Sequence, residues 1–208
     1  MSGAPIRLLV VDDHPLLREG IAGVLEGEDD LQLVAEAADG DEAVAAFRAH
    51  RPDVTLMDLQ MPRRNGVDAI IAIRAEFPGA RIIVLTTYAG DAQALRALQA
   101  GAQGYLLKSS LRKELVDTVR GVMAGRRRIA AEVAGEIAAH AGDTPLSARE
   151  IEILRGVAAG NSNKIVAARL GISEETVKAH MKSILAKLGA NDRTHAVTIG
   201  LRRGILDV

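Results

Sequence analysis

The stretch Ile6-Arg7-Leu8-Leu9-Val10-Val11-Asp12-Asp13 joins an apolar run to two carboxylates that follow it directly. Three later stretches repeat the arrangement, with a polar residue where the apolar run ends. They are Val54-Thr55-Leu56-Met57-Asp58, Ile82-Ile83-Val84-Leu85-Thr86 and Tyr105-Leu106-Leu107-Lys108. Runs of this kind predict buried parallel strands, and open α/β sheets place their sites at the carboxyl ends of such strands. We therefore expect three carboxylates, a hydroxyl and an ammonium to meet at one edge of a sheet.

Strand-like and helical patterns alternate over the first 124 residues. The strand-like runs lie at about 6–11, 31–36, 53–57, 81–86 and 103–107, and the helical patterns at about 14–27, 41–50, 66–76, 91–100 and 111–124. Such alternation is typical of βαβ units with right-handed crossovers. It predicts a doubly wound, flavodoxin-like α/β domain with a five-stranded parallel sheet over residues 1–124.

The rest of the sequence divides into two segments with different residue patterns. Residues 125–144 open with Arg126-Arg127-Arg128 and continue in alanine-rich sequence, which predicts a linker with a helix near 130–140. The arginine triplet is more typical of a solvated helix end than of a binding patch. Residues 145–208 contain no strand-like run, so we expect a small all-α domain there.

Helix boundaries in the last domain can be placed from capping residues. Ser147 with Glu150 three positions later forms a capping-box pattern. A helix over about 173–188 repeats apolar residues at spacings of 4, 3 and 4, which gives one buried stripe. These residues are Val177, Met181, Ile184 and Leu188. With the Gly-Ile-Ser turn before it, this helix predicts a helix-turn-helix.

Composition limits the class of protein. The 208 residues include no cysteine, which excludes disulfides and thiolate metal sites. No apolar stretch approaches 18 residues, and the first residues lack the basic and apolar regions of a signal peptide, so we expect a cytoplasmic protein without membrane contact. The net charge of −1 conceals an asymmetry: residues 144–208 hold ten Lys and Arg against six Asp and Glu (+4), and the remainder 16 against 21 (−5). The basic end is therefore the candidate for binding nucleic acid.

The residues at the predicted sheet edge suit one kind of chemistry. Clustered carboxylates are hard oxygen ligands for Mg²⁺, and a lysine and a threonine nearby can hold an anion. Each residue alone also has a simpler interpretation. Asp13 could cap the helix that begins near Pro15, and Asp58 could be a turn residue. Thr86 could be an ordinary strand residue, and Lys108 a solvated strand end. Taken together at four strand ends, they indicate a site where phosphate meets an aspartate.

Residues 1–124 resemble a response-regulator receiver domain. The resemblance rests on Val11-Asp12-Asp13-His14, Met57-Asp58-Leu59-Gln60-Met61-Pro62, Leu85-Thr86-Thr87 and Gly104-Tyr105-Leu106-Leu107-Lys108. It implies that Asp58 accepts a phosphoryl group from a histidine kinase, with Lys108 and Thr86 binding the phosphoryl oxygens. It further implies a Mg²⁺ cofactor, whose ligands are Asp12 (directly or through water), Asp13, Asp58 and the backbone carbonyl of Gln60.

The same resemblance implies how phosphorylation alters the domain. Thr86 would move toward the phosphoryl group and Tyr105 would swing inward, biasing an equilibrium that already exists. Gln60 and Tyr88 occupy positions that tune dephosphorylation in receivers. Ser109 stands where many receivers have proline, and because cis bonds before other residues are costly, a cis peptide bond cannot be assumed there.

Residues 146–204 resemble the LuxR-type DNA-binding domain. The motifs are Leu146-Ser147-Ala148-Arg149-Glu150, Gly160-Asn161-Ser162-Asn163-Lys164, Ile172-Ser173-Glu174-Glu175-Thr176-Val177-Lys178-Ala179-His180 and Lys187-Leu188-Gly189-Ala190-Asn191-Asp192-Arg193-Thr194. Together the two resemblances identify a NarL/FixJ-type response regulator.

The resemblance assigns roles on DNA. Lys178, Ala179 and Lys182 match positions that reach base edges in the major groove. Phosphate contacts are expected from Asn163, Lys164, Thr176, His180, Lys187 and Arg193, and the alternative for His180 is a surface histidine without a ligand. Val197 and Leu201 are candidate dimer contacts, and equally good core residues.

The expected function is a phosphorylation-controlled, sequence-specific transcription factor that binds operator DNA as a homodimer and acts on the transcription machinery. One alternative is a DNA-binding regulator whose receiver works without phosphorylation. Such proteins usually lose an acidic or lysine position that this chain keeps. An aspartate-phosphorylating phosphatase is disfavoured, because Gln60 stands where that enzyme class needs a second aspartate. We therefore do not expect an enzyme.

Overall fold

The computed structural model of the protein describes residues 4–87 and 90–206. The chain forms two compact units, residues 1–89 with 94–135 and residues 90–93 with 136–208. Tyr88, one of the positions expected to tune dephosphorylation, lies outside the described residues.

Strands and helices alternate from residue 6 to residue 139. The strands are β1 (Ile6–Val11), β2 (Leu31–Ala37), β3 (Val54–Asp58), β4 (Ile82–Thr86), β5 (Gly104–Leu107) and β6 (Arg128–Ile129). The helices are α1 (Pro15–Leu25), α2 (Gly40–His50), α3 (Gly66–Glu76), α4 (Asp91–Gln99), α5 (Leu111–Met123) and α6 (Ala131–Ala139), with a 3₁₀ turn at Lys108–Ser110. The predicted doubly wound order is confirmed.

The strands pair in parallel in the order β2-β1-β3-β4-β5-β6. The sequence predicts five strands, and the structure has a sixth inside the predicted linker. Backbone bonds define it: the Arg128 amide donates to Gln103 and the Ala130 amide to Tyr105, each over 3.0 Å. A two-residue strand has no period that a sequence pattern could reveal. The linker therefore begins as part of the sheet.

The central strands are buried on both faces, as their continuous apolar sequence predicts. All residues of β3 and β4 are buried, and one face of the sheet packs with α1 and α5 in a single cluster of Leu, Ile and Val side chains. The strand order reverses between β1 and β3, so the residues after these two strands face a crevice at the carboxyl edge.

The helical unit contains α7 (Ala148–Ala158), α8 (Asn163–Leu170), α9 (Glu174–Leu188) and α10 (Arg193–Arg202). The predicted capping box is confirmed: Ser147 accepts from the Glu150 amide, and the Glu150 carboxylate accepts from the Ser147 amide. Ser173 caps α9, and Gly171 and Gly189 end α8 and α9 in the left-handed conformation. The predicted stripe of α9 lies in the core of this unit, with Val177 and Ile184 fully buried.

Within residues 4–87 and 90–206, helices that combine the length and apolar character needed to cross a bilayer are absent.

Candidate functional site

Three carboxylates and one ammonium meet at the carboxyl edge of the sheet. Asp12 and Asp13 follow β1, and Asp58 ends the neighbouring β3. Lys108 follows β5 and reaches across to both strands, with its Nζ 2.7 Å from Asp12 Oδ2 and 2.8 Å from Asp58 Oδ2. Asp12 and Asp58 are buried, whereas the Asp13 side chain is about one-third exposed. The predicted meeting of these residues is found in the structure.

Burial and neighbouring charge act in opposite directions on Asp58. Burial raises the pKa of this carboxyl above its ordinary value, the Lys108 ammonium lowers it, and the Asp12 carboxylate raises it again. Burial lowers the pKa of Lys108, but its bonds to Asp12 and Asp58 outweigh burial and leave it raised. Lys108 therefore stays charged, and the pocket carries more carboxylates than ammonium groups.

The same pocket can hold a cation. Ligand atoms of Asp12, Asp13, His14 and Asp58 lie within 4.8 Å of one another. Buried oxygens of Asp12 and Asp13 have no hydrogen bond of good geometry: Asp12 Oδ2 pairs with the Lys108 ammonium, and Asp13 Oδ1 lies 2.8 Å from His14 Nδ1. His14 is a member that sequence reasoning did not select. The motif Asp13-His14 contained the only signal, and the ring position depends on the turn into α1.

The turn after β1 also decides between two interpretations of Asp13. His14, not Asp13, is the N-terminal cap residue of α1, and it makes no side-chain capping bond. Asp12 Oδ1 instead accepts from the His14 amide over 2.9 Å. Asp13 therefore does not serve as a helix cap, and its carboxylate faces the other acids.

Thr86 and Tyr105 lie on neighbouring strands beside the pocket. Both are buried, Tyr105 completely. Burial raises the pKa of Tyr105 to about 12, and the nearby Thr86 side chain opposes that rise. The phenol hydroxyl has no hydrogen bond of good geometry within the described residues. Thr86 and Tyr105 therefore form a buried pair of polar side chains beside the pocket.

Gly66 supports the pocket from the start of α3. A Cβ at this position would overlap the carbonyl of Asp58, and the Gly66 amide donates to Leu59 over 3.1 Å. The Gln60 amide donates to Asp58 Oδ1 over 3.2 Å. The sequence indicated only a turn at Asn65-Gly66, because the close approach to Asp58 is a tertiary contact.

The helical unit presents an exposed row on α9. Lys178, Ala179 and Lys182 are exposed and lie on the side away from the buried stripe. Lys178 forms ion pairs with Glu175 and Glu174, at 2.8 and 3.6 Å, which raise its pKa. Lys182 has no ion pair with any residue that the structure describes. Of the two lysines in this row, Lys182 is therefore the one whose ammonium is available to bind an external anion.

Matches to two family models and to a similar protein place the chain in a family. Residues 8–120 match the model of the response regulator receiver domain, and residues 144–199 match that of the bacterial regulatory proteins of the luxR family. The chain is 37% identical over 210 residues to the transcriptional regulatory protein LiaR of Bacillus subtilis, covering 97% of this chain and 100% of that protein. The chain belongs to the response regulators with a luxR-family domain. Its sequence-predicted family is confirmed.

Further relatives agree with this membership. The response regulator is 38% identical over 208 residues to the probable transcriptional regulatory protein NarL of Mycobacterium tuberculosis, over 97% of this chain and 96% of that one. The structure of the response regulator RcsB in complex with DNA is 25% identical, with a TM-score of 0.71 over 95% of this chain and 98% of that chain.

The remaining predicted DNA contacts of the response regulator differ in how far their side chains are exposed and in whether they already have partners. Lys164, Thr176 and Arg193 are exposed, and Asn163 and His180 are half-buried. Arg193 already donates to the Asn161 carbonyl over 2.9 Å.

Lys187 has a structural partner that the sequence did not reveal. Its Nζ lies 2.8 Å from Oε2 of Glu150, which is only 3% exposed. Burial alone would raise the pKa of Glu150, but bonds from Lys187, Ser147 and Ser183 outweigh it and lower the pKa to about 2. Lys187 therefore neutralises a buried carboxylate within the helical unit, in addition to its predicted role on DNA.

The two candidate dimer contacts of the response regulator lie on α10. Val197 is half-buried and packs against the core of the helical unit, whereas Leu201 is 38% exposed. Leu201 thus has more surface for a partner than Val197.

Proposed function

We propose that this response regulator is a transcription factor controlled by phosphorylation of Asp58. The phosphoryl donor is a histidine kinase, and the output is binding of a specific operator by α9. The observation that carries the proposal is the position of Asp58, at the end of β3 with Lys108 at 2.8 Å and two further carboxylates beside it.

Phosphorylation consists of attack by an Asp58 carboxylate oxygen on phosphorus while the imidazole nitrogen of the kinase leaves. Phosphoryl transfer is mostly a matter of positioning and charge neutralisation, so an ionised carboxylate suffices as nucleophile. Lys108 is oriented by Asp12 and Asp58 and is placed to bind a phosphoryl oxygen. Thr86, on the adjacent strand, supplies the hydroxyl for another oxygen.

The acidic pocket fits Mg²⁺. The donor set is oxygen-rich, as this ion prefers, and buried oxygens of Asp12 and Asp13 have no good hydrogen bonds. Asp12, Asp13, Asp58 and the Gln60 carbonyl would hold the ion. A bound Mg²⁺ would supply charge neutralisation for the phosphoryl transfer.

The signal passes through Thr86 and Tyr105. A phosphoryl group adds about −1.5 to −2 charges and three acceptor oxygens, which attract the Thr86 hydroxyl. Because Tyr105 is buried beside Thr86, movement of Thr86 changes the packing of Tyr105. The surface formed by α4 and β5 then shifts between two states.

A phosphodonor assay tests the acceptor. Incubation of the full chain with acetyl phosphate and Mg²⁺ should add the mass of one phosphoryl group, and Asp58→Asn should abolish the addition. Asp117→Asn, an exposed aspartate on α5, is the matched control and should react like the wild type. Equal labelling of Asp58→Asn would overturn the assignment.

The DNA-binding proposal rests on the exposed row of α9 and the charge of +4 over residues 144–208. Lys178, Ala179 and Lys182 read base edges, while Asn163, Lys164, Thr176, His180, Lys187 and Arg193 face phosphates. A similar response regulator, RcsB, forms a complex with DNA, which supports DNA binding by this chain. A dimer through α10 would match a two-fold operator.

Binding measured at several salt concentrations separates base from phosphate contacts. We expect Lys182→Ala to weaken operator binding by about 1–3 kcal/mol while binding to scrambled duplex changes little. Lys113→Ala, an exposed lysine on α5, is the control and should change neither. If Lys182→Ala leaves the ratio of specific to non-specific affinity unchanged, α9 is not the reading helix.

Membership of the family supports the remaining parts of the proposal. Receiver, linker and DNA-binding domain span residues 1–124, 125–144 and 145–208, with the start of the linker paired to β5. The protein acts on the transcription machinery in the cytoplasm and is a regulator, not an enzyme.

A further inference from the structure

Four arginines line a pocket at the amino edge of the sheet. Arg74, Arg81, Arg126 and Arg127 surround a space of about 310 Å³, and the other lining residues are glycines and one glutamine. Carboxylates are absent from the described residues that line it. We refer to this space as the arginine pocket.

The arginine pocket is separate from the Asp58 site. Arg81 directly precedes β4, whereas Thr86 ends that strand. Five strand residues at about 3.3 Å each place the two edges about 16 Å apart. Gln103 has the same relation to β5, at the opposite end from Lys108. A ligand in the arginine pocket would therefore not occupy the phosphoacceptor site.

Part of the arginine pocket is held in a fixed conformation. Arg74 Nη1 donates to the Ala80 carbonyl over 2.7 Å, which leaves the other guanidinium N–H groups free to bind elsewhere. The Arg74 side chain lies against Gly101, where a Cβ would overlap its Nε. Gly101 also has φ +105°, a conformation that residues with a Cβ rarely adopt. The chain thus needs glycine here to place Arg74 in the wall.

The other three arginines have no acidic partner among the described residues. Arg81, Arg126 and Arg127 form no side-chain ion pair with any residue that the structure describes. By contrast, Arg48 and Arg120 on the same unit each bind a carboxylate within 3 Å. Grouped cations around a concave surface raise the local concentration of anions. The planar guanidinium fork matches phosphate oxygens in particular.

The size of the pocket restricts the ligand. About 310 Å³ is at the lower end of small-molecule sites, which run from about 300 to 1,000 Å³. We propose that the arginine pocket binds a small phosphate polyanion of the pyrophosphate type, either free or as the diphosphate of a nucleotide. Such a ligand contacts residues at the end of α3, residues just before β4 and β5, and residues 125–127, where the linker begins.

Glycine amides provide a local readout in the full-length protein. Titration with inorganic pyrophosphate in Mg²⁺-free buffer should shift the NMR amide signals of Gly79, Gly101 and Gly125. The double substitution Arg126→Gln/Arg127→Gln should weaken this response at least tenfold; both side chains are exposed, so folding is preserved.

A matched double substitution controls for net charge. Arg112→Gln/Lys113→Gln removes two exposed cations from α5 and should change the affinity by less than twofold. Adenosine diphosphate forms a second arm: tighter binding than pyrophosphate assigns a nucleotide, and equal binding assigns the free anion. The proposal is overturned if the three glycine signals do not move, if both double variants lose affinity equally, or if the signals respond to duplex DNA alone.

Discussion

Substitution of Glu150 by Gln removes a buried charge and keeps the shape of the side chain. Glu150 caps α7 and also accepts from Ser183 Oγ at 2.7 Å and Lys187 Nζ at 2.8 Å. Its pKa falls from 4.5 to about 2 because these bonds favour the ionised form. At about 1.36 kcal/mol per unit, the shift corresponds to about 3 kcal/mol of stability at neutral pH. Because Lys187 is one-quarter exposed and the unfolded chain keeps some structure, we expect Glu150→Gln to lower the free energy of unfolding by about 1–3 kcal/mol.

The pH dependence of this loss follows from the direction of the shift. A carboxyl group with a lowered pKa in the folded state stabilises it above the ordinary value of 4.5, and the contribution disappears as pH falls toward about 2. The difference between wild type and Glu150→Gln should therefore be largest near pH 7 and shrink below pH 5. Urea titrations followed by NMR at the methyl groups of Ile153 and Ile184, both fully buried, report on this unit within the full chain.

Glu152→Gln is the matched control, since Glu152 pairs with Arg149 at an exposed position. This substitution should lower the free energy of unfolding by less than about 0.5 kcal/mol. A Glu150→Gln variant as stable as this control at pH 7, or a difference that does not change between pH 7 and pH 3, would refute the role of the Glu150–Lys187 pair.

The acidic pocket provides two more predictions. Asp13→Ala should weaken Mg²⁺ binding more than Asp12→Ala, because Lys108 and the His14 amide engage both oxygens of Asp12, whereas the His14 ring engages only Oδ1 of the partly exposed Asp13. Mg²⁺ titration of each variant tests this, and the reverse order would contradict it. Lys108→Met should move the pH profile of phosphorylation by acetyl phosphate to higher pH, since the ammonium that lowers the pKa of Asp58 is lost. A profile that stays in place would show that Lys108 does not control this ionisation.

Local sequence determined the secondary structure and the identity of the pocket. Buried parallel strands need continuous apolar runs, and these runs located β1, β3, β4 and β5 to within a residue or two. Capping depends on neighbours in sequence, so Ser147 with Glu150 could be predicted as a pair. The polar residues that follow the strands could be placed together, because parallel strands bring their carboxyl ends to one edge.

Tertiary structure alone decided the contacts between residues far apart in the chain. They include the pairing of Lys187 with Glu150, the approach of Gly66 to Asp58 and the two-residue strand β6. Each depends on how the elements pack, so no periodic pattern in the local sequence predicts it. The arginine triplet shows the same limit. Its sequence is typical of a solvated helix end, and only the fold sets Arg126 and Arg127 beside Arg74 and Arg81. Periodicity and capping act within a few residues, whereas charge pairing and steric exclusion act through space.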